Sequence, residues 1–78
     1  MQEMYIRAES FQDIRAISAL AAGEEFQVFI TDGRRTVHAK SLLGIFSLNV
    51  GKPLLLQLDC SEEESEAFRV KATRFVEE

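Results

Sequence analysis

Seventy-eight residues, 46% of them hydrophobic, with a formal net charge of −4, are enough for one domain, and a domain of this size buries only about 60% of its unfolded surface. Nine basic residues against thirteen acidic ones argue against nucleic acid as a partner, which would need Lys and Arg clustered on one face. No apolar run approaches the ~18 residues of a membrane span, and no basic-then-apolar start suggests a secretory signal, so the expected location is the cytoplasm. One cysteine, Cys60, cannot close an internal disulfide, and one Cys with one His falls short of the three or four ligands that zinc usually draws. Neither a metal nor a cofactor is expected.

In chain order, Met4 to Ala8 alternates apolar and polar and predicts a first strand with one buried face. Ser10 followed by Asp13 is a helix-start signal, and Ile14, Ile17, Leu20 and Ala21 recur at helical spacing until Gly23. Phe26, Val28 and Ile30 alternate with Gln27, Phe29 and Thr31 as a second strand. Asp32-Gly33 is the strongest hairpin signal in the chain, and Arg35 to Ala39 is expected to return as a third strand with Val37 and Ala39 inward and Thr36 and His38 on the opposite face.

A second helix is expected from Ser41 to Leu48, and it holds more apolar side chains than one core can use. At about 100° per residue, Ile45 and Leu48 lie together, while Leu42, Leu43 and Phe46 form a stripe on the other side. Exposed as a contiguous patch, such a stripe marks an interaction surface. Asn49 to Pro53 is a turn, Leu54 to Asp59 the last strand, and Ser61 with Glu64 a capping box opening a final helix. Ala67, Phe68, Ala72, Phe75 and Val76 supply that helix's apolar stripe.

The run Lys40-Ser41-Leu42-Leu43-Gly44-Ile45-Phe46-Ser47-Leu48 closely resembles the second helix of HPr proteins, the histidine-phosphorylated carriers of the bacterial phosphotransferase system. Their pattern there is Lys-Ser, two apolar residues, Gly, two more apolar residues and Ser-Leu. The element order strand, helix, strand, strand, helix, strand, helix also matches HPr from end to end. The resemblance implies an α+β open-faced β-sandwich in which a four-stranded antiparallel sheet carries three helices on one face. It further implies that Ser41 caps the second helix and is a candidate for regulatory phosphorylation. Leu42, Leu43 and Phe46 then occupy the positions with which HPr proteins dock onto Enzyme I and other partners.

The other signature of that family is missing. HPr proteins carry a phosphoryl-accepting His, followed by Arg and Pro, just before the first helix, and the segment from Met4 to Ala16 supplies no such motif. Phosphocarrier chemistry therefore does not transfer by analogy. His38 is the one imidazole available as a surrogate acceptor, and it is expected on the uncovered side of a regular strand, away from helix N-termini that would stabilise a phosphoryl group. Arg34 and Arg35 solvate the hairpin tip or bind an anion there, and Glu62 to Glu66 reads as a solvated helix start.

The expectation is a non-enzymatic HPr-like protein without catalytic residues. It docks through its second helix onto a phosphotransferase-system protein or a regulator of carbon metabolism. Two alternatives are a true phosphocarrier with an atypical acceptor and a self-associating module that forms a homodimer through the same helix.

Overall fold

The computed structural model describes residues 1–77, the side chain of Leu42 excepted. Strand β1 (Gln2–Arg7) buries Met4 and Ile6 and turns Glu3 and Tyr5 outward, as its alternation requires. Helix α1 (Phe11–Ala22) follows, burying Ile14, Ile17, Ser18 and Ala21. Strands β2 (Val28–Thr31) and β3 (Thr36–His38) form the hairpin, a single helical turn α2 (Leu42–Ile45) comes next, then β4 (Pro53–Leu58) and α3 (Glu62–Lys71). A 3₁₀ turn, Thr73–Phe75, extends α3.

The sheet runs β1-β4-β2-β3 with every neighbouring pair antiparallel. Its register aligns Met4, Leu56, Ile30 and Val37 in one row, and Ile6 with Leu54 in another. Those rows face the helices. Leu54, Leu56 and Leu58 of the interior strand β4 are fully buried, each stabilising the fold by about 1.5–3 kcal/mol relative to exposure. Ile45, Leu48, Phe68, Ala72 and Phe75 join them from the helical side. Among the described residues no helix covers the opposite face, where Tyr5 and His38 are exposed and Phe29, Leu55 and Gln57 are only partly buried. This is the open-faced α+β sandwich expected from the sequence.

The free edge of β1 is partly covered by the end of the chain. Val76 bridges to Ile6, the Glu77 N–H donates to the Tyr5 carbonyl at 2.8 Å, and the Arg7 guanidinium meets the Glu77 carboxylate at 3.0 Å.

Three details differ from the sequence reading. The hairpin loop is four residues, because Thr31 pairs with Thr36 and Asp32 organises the whole turn. Its Oδ1 accepts the N–H groups of Arg34 and Arg35, both at 2.9 Å, and Gly33 takes φ +93°, where a side chain would be strained. In the final helix, Ser65 rather than Ala67 faces the core, since the buried set is spaced 65, 68, 72 and 75. Finally, α2 is one turn instead of a helix to Leu48. The Ser47 hydroxyl donates to the Gly44 carbonyl at 2.6 Å, and the N–H groups of Ser47 and Leu48 close tighter three-residue turns onto Gly44 and Ile45. Gly44 at the centre favours helix weakly, so these local bonds prevail.

Candidate functional site

The surface around α2 is built by a division of its side chains. Ile45 is fully buried and Leu48 nearly so, whereas Leu43 is 88% exposed and Phe46 47% exposed. Gly44 lets the turn sit against β3, where a Cβ at this position would lie 3.1 Å from the Cβ of Val37. The Ser41 hydroxyl accepts the Gly44 N–H at 3.3 Å and is itself exposed, the arrangement of an N-cap. Leu42, expected in the same stripe, has its side chain outside the described residues.

Phe46 does not stand alone. Its ring meets Phe11 edge to face, with centroids 5.7 Å apart, and Phe11 is also 47% exposed. Sequence reasoning missed Phe11, which borders the apolar stripe of α1 at its first position. The available signal was an aromatic residue immediately after a capping serine, three residues before Ile14 and seven before Ser18. One turn further along α1, Arg15 is exposed, and with Lys40 it flanks a shallow cleft along α1 that Ser18, Ala19 and Ala22 also line. The Lys40 ammonium donates to the Glu24 carbonyl at 2.9 Å, so it is directed toward the end of α1 and away from Ser41.

The segment just before α1 is Ala8-Glu9-Ser10. The Ser10 hydroxyl accepts the Asp13 N–H, and the Asp13 carboxylate accepts the Glu9 N–H at 3.0 Å. A cleft of about 280 Å³ beside it is lined by Arg7, Glu9, Asp13, Arg74, Phe75 and Glu77, among others. Both arginines are engaged. Arg7 is paired with Glu77, whose hydrogen bond and charge raise its already high pKa, and Arg74 lies over the Phe75 ring at 4.4 Å. Two of the carboxylates sit at the helix start itself, where they would repel an incoming phosphoryl group.

His38 is exposed on β3, cross-strand from Phe29, with ring centroids 4.6 Å apart. It lies on the uncovered face, at the edge of the sheet opposite β1. Cys60 is half-buried after β4, and burial, reinforced by Glu64 and Asp59, raises its thiol pKa, so it stays protonated rather than nucleophilic. No cluster of three or more metal-ligating side chains occurs among the described residues, and none of their helices is long and apolar enough to cross a membrane.

No protein-family model matches the chain, and no curated protein sequence does. Solved structures do match. The chain is 23% identical to HPr-C-His from Thermoanaerobacter tengcongensis, with a TM-score of 0.70 over 91% of this chain and 89% of that one. It is 22% identical to phosphocarrier protein HPr from Bacillus anthracis str. Ames, with a TM-score of 0.65 over 88% of this chain and 90% of that one. Strand order, helix placement and near-complete coverage together make the chain HPr-like in fold.

Proposed function

We propose that this chain is a non-enzymatic relative of the phosphotransferase-system phosphocarriers that acts by docking, with Leu43, Phe46 and Phe11 as its contact surface. The observation that carries the proposal is the exposure of Leu43 and Phe46 on a segment that buries Ile45 and Leu48. A fold this small has few apolar side chains to spare, and leaving two large ones outside on a short segment is costly unless a partner covers them. Phe46 is the natural anchor, because an aromatic ring buries a large area at little entropic cost. Arg15, one turn from Phe11, favours an acidic partner surface. The partner class is a phosphotransferase-system protein or a regulator of carbon metabolism.

Ser41 is the proposed regulatory position. Its first helical turn contains no acidic residue, whereas α1 and α3 carry Asp13 and Glu62 to Glu64 in theirs. A phosphate at Ser41 would place negative charge at the rim of the docking surface without like-charge repulsion from its own turn. The acidic start of α1 and the position of His38 both disfavour histidine phosphotransfer, which is why the carrier reading ranks second.

The test is a titration of the chain with Enzyme I, alongside Phe46→Glu. Saturable binding that the variant loses, with its folded circular dichroism retained, supports docking; equal binding by the variant refutes it. Incubation with Enzyme I and phosphoenolpyruvate checks the second reading, since stoichiometric acid-labile phosphate on His38 would establish a carrier. Sedimentation equilibrium tests the third, because a dimer dissociated by Phe46→Glu would assign the surface to self-association.

A further inference from the structure

The tip of the β2–β3 hairpin and the segment leaving α2 face each other across a cleft of about 400 Å³ lined by Asp32, Arg34, Arg35, Ser47 and Asn49. Both arginines are exposed, and neither forms an ion pair among the described residues. The single acid of the cleft is occupied. Asp32 Oδ1 accepts the N–H groups of Arg34 and Arg35, and Oδ2 accepts the Asn49 N–H at 3.3 Å. The carboxylate is satisfied by three backbone donors, so it fixes the backbone of Arg34 and Arg35 and forms no ion pair with either guanidinium among the described residues. The Ser47 hydroxyl is spent on the Gly44 carbonyl, which leaves the two guanidinium groups and the Asn49 side-chain amide as the donors facing the cleft.

Planar guanidinium forks match the geometry of tetrahedral oxyanions and bind them with paired, charge-assisted hydrogen bonds. We propose that this cleft binds a compact phosphate-class oxyanion, held by Arg34 and Arg35 with Asn49 completing the donor set. The shared chemistry is a terminal phosphate, whether free or carried by a small ester. Net charge within the cleft is positive on a chain whose total is −4, so attraction there is local and does not reflect a generally basic protein. The site lies one residue beyond Phe46 yet does not depend on the docking proposal.

Titration of the ¹⁵N-labelled full chain with inorganic phosphate, with glycerol 3-phosphate and with sodium chloride at matched ionic strength tests the site. Saturable shifts of the Arg34, Arg35, Ser47 and Asn49 amides are expected with phosphate, the ester or both, and not with chloride. Which of the two anions binds more tightly identifies the source. The double variant R34A/R35A, altered only at exposed side chains, should weaken binding about tenfold or more while keeping its dispersed spectrum. Should it lose dispersion, R34A and R35A singly provide the same comparison. Shifts reproduced by chloride, or unchanged affinity in the arginine variants, would overturn the proposal.

Discussion

Gly44→Ala should destabilise the protein, although the same change in an exposed helix usually stabilises it. Replacing Gly by Ala in a helix gains about 1 kcal/mol of intrinsic preference, and α2, at one turn, realises at most part of that. Against the gain stands the new Cβ, which would lie 3.1 Å from Val37 Cβ and 3.3 Å from both Val37 Cγ1 and Ser41 Oγ. A Cβ fixed to a strand backbone cannot rotate away, so α2 itself must move from β3. Overpacking of this kind costs about 1–3 kcal/mol, leaving a net loss of about 1 kcal/mol, or a fall of ~4–8 °C in Tm for a domain of this size. Urea and thermal unfolding followed by circular dichroism would measure it. Because the nearest atom is Val37 Cβ, Val37→Ala leaves the main contact in place, and Gly44→Ala should remain destabilising in that background. A Gly44→Ala protein more stable than the wild type would refute the close packing of α2 on β3.

Ser41→Ala should cost about 1 kcal/mol through loss of the cap, whereas Ser41→Asp should hold stability close to the wild type in the same urea experiment; equal losses would mean that the hydroxyl is not capping. Asp32→Asn keeps one carbonyl oxygen for the Arg34 and Arg35 N–H groups but presents an NH₂ to the Asn49 N–H, so it should be less stable at neutral pH. The backbone N–H groups of Arg34 and then Arg35 hold the Asp32 pKa below its ordinary value. Its contribution is therefore fully present above about pH 4 to 5, the unfolded range, and is lost as pH falls through the lower folded value. The wild-type advantage over Asp32→Asn should shrink in that acid window and stay level between about pH 6 and 8; a constant gap throughout would show that the carboxylate is not the operative group.

The elements were legible in the sequence because each carries its own period. Met4 and Ile6 at spacing two, Ile14 and Ile17 at helical spacing, and Ser61 with Glu64 as a complete capping box are local signals that tertiary packing reinforced. The order β1-β4-β2-β3 was not local, since it sets the first strand beside the last, and the resemblance was read only as far as a four-stranded antiparallel sheet with its helices on one face. The length of α2 was hidden for a different reason. Nothing in the periodicity shows the Ser47 hydroxyl competing for the Gly44 carbonyl, or Asp32, seventeen residues away, accepting the Asn49 N–H. The same limit applied to the site. Leu43 and Phe46 could be placed outside the core from their spacing, but the partnership of Phe46 with Phe11 joins two elements, and no period within either one specifies it.

A four-residue helix cannot persist by its own hydrogen bonds, because nucleation costs more than one turn returns. The shape of the proposed docking surface therefore depends on the anchors beneath it: Ile45 and Leu48 in the core, the glycine contact with Val37, the Ser41 cap and the Asp32 tie to Asn49. These anchors come from β3, the β2–β3 loop, the residue preceding α2 and the shared core, so loosening α2 would disturb the sheet face beneath it. Leu43 and Phe46 are accordingly presented by a preformed surface, and binding through them does not have to repay the cost of ordering a flexible segment. Variants at the anchors, Gly44→Ala and Asp32→Asn, should then weaken partner binding through displacement of α2, while Phe46→Glu acts on the contact itself and leaves stability nearly unchanged.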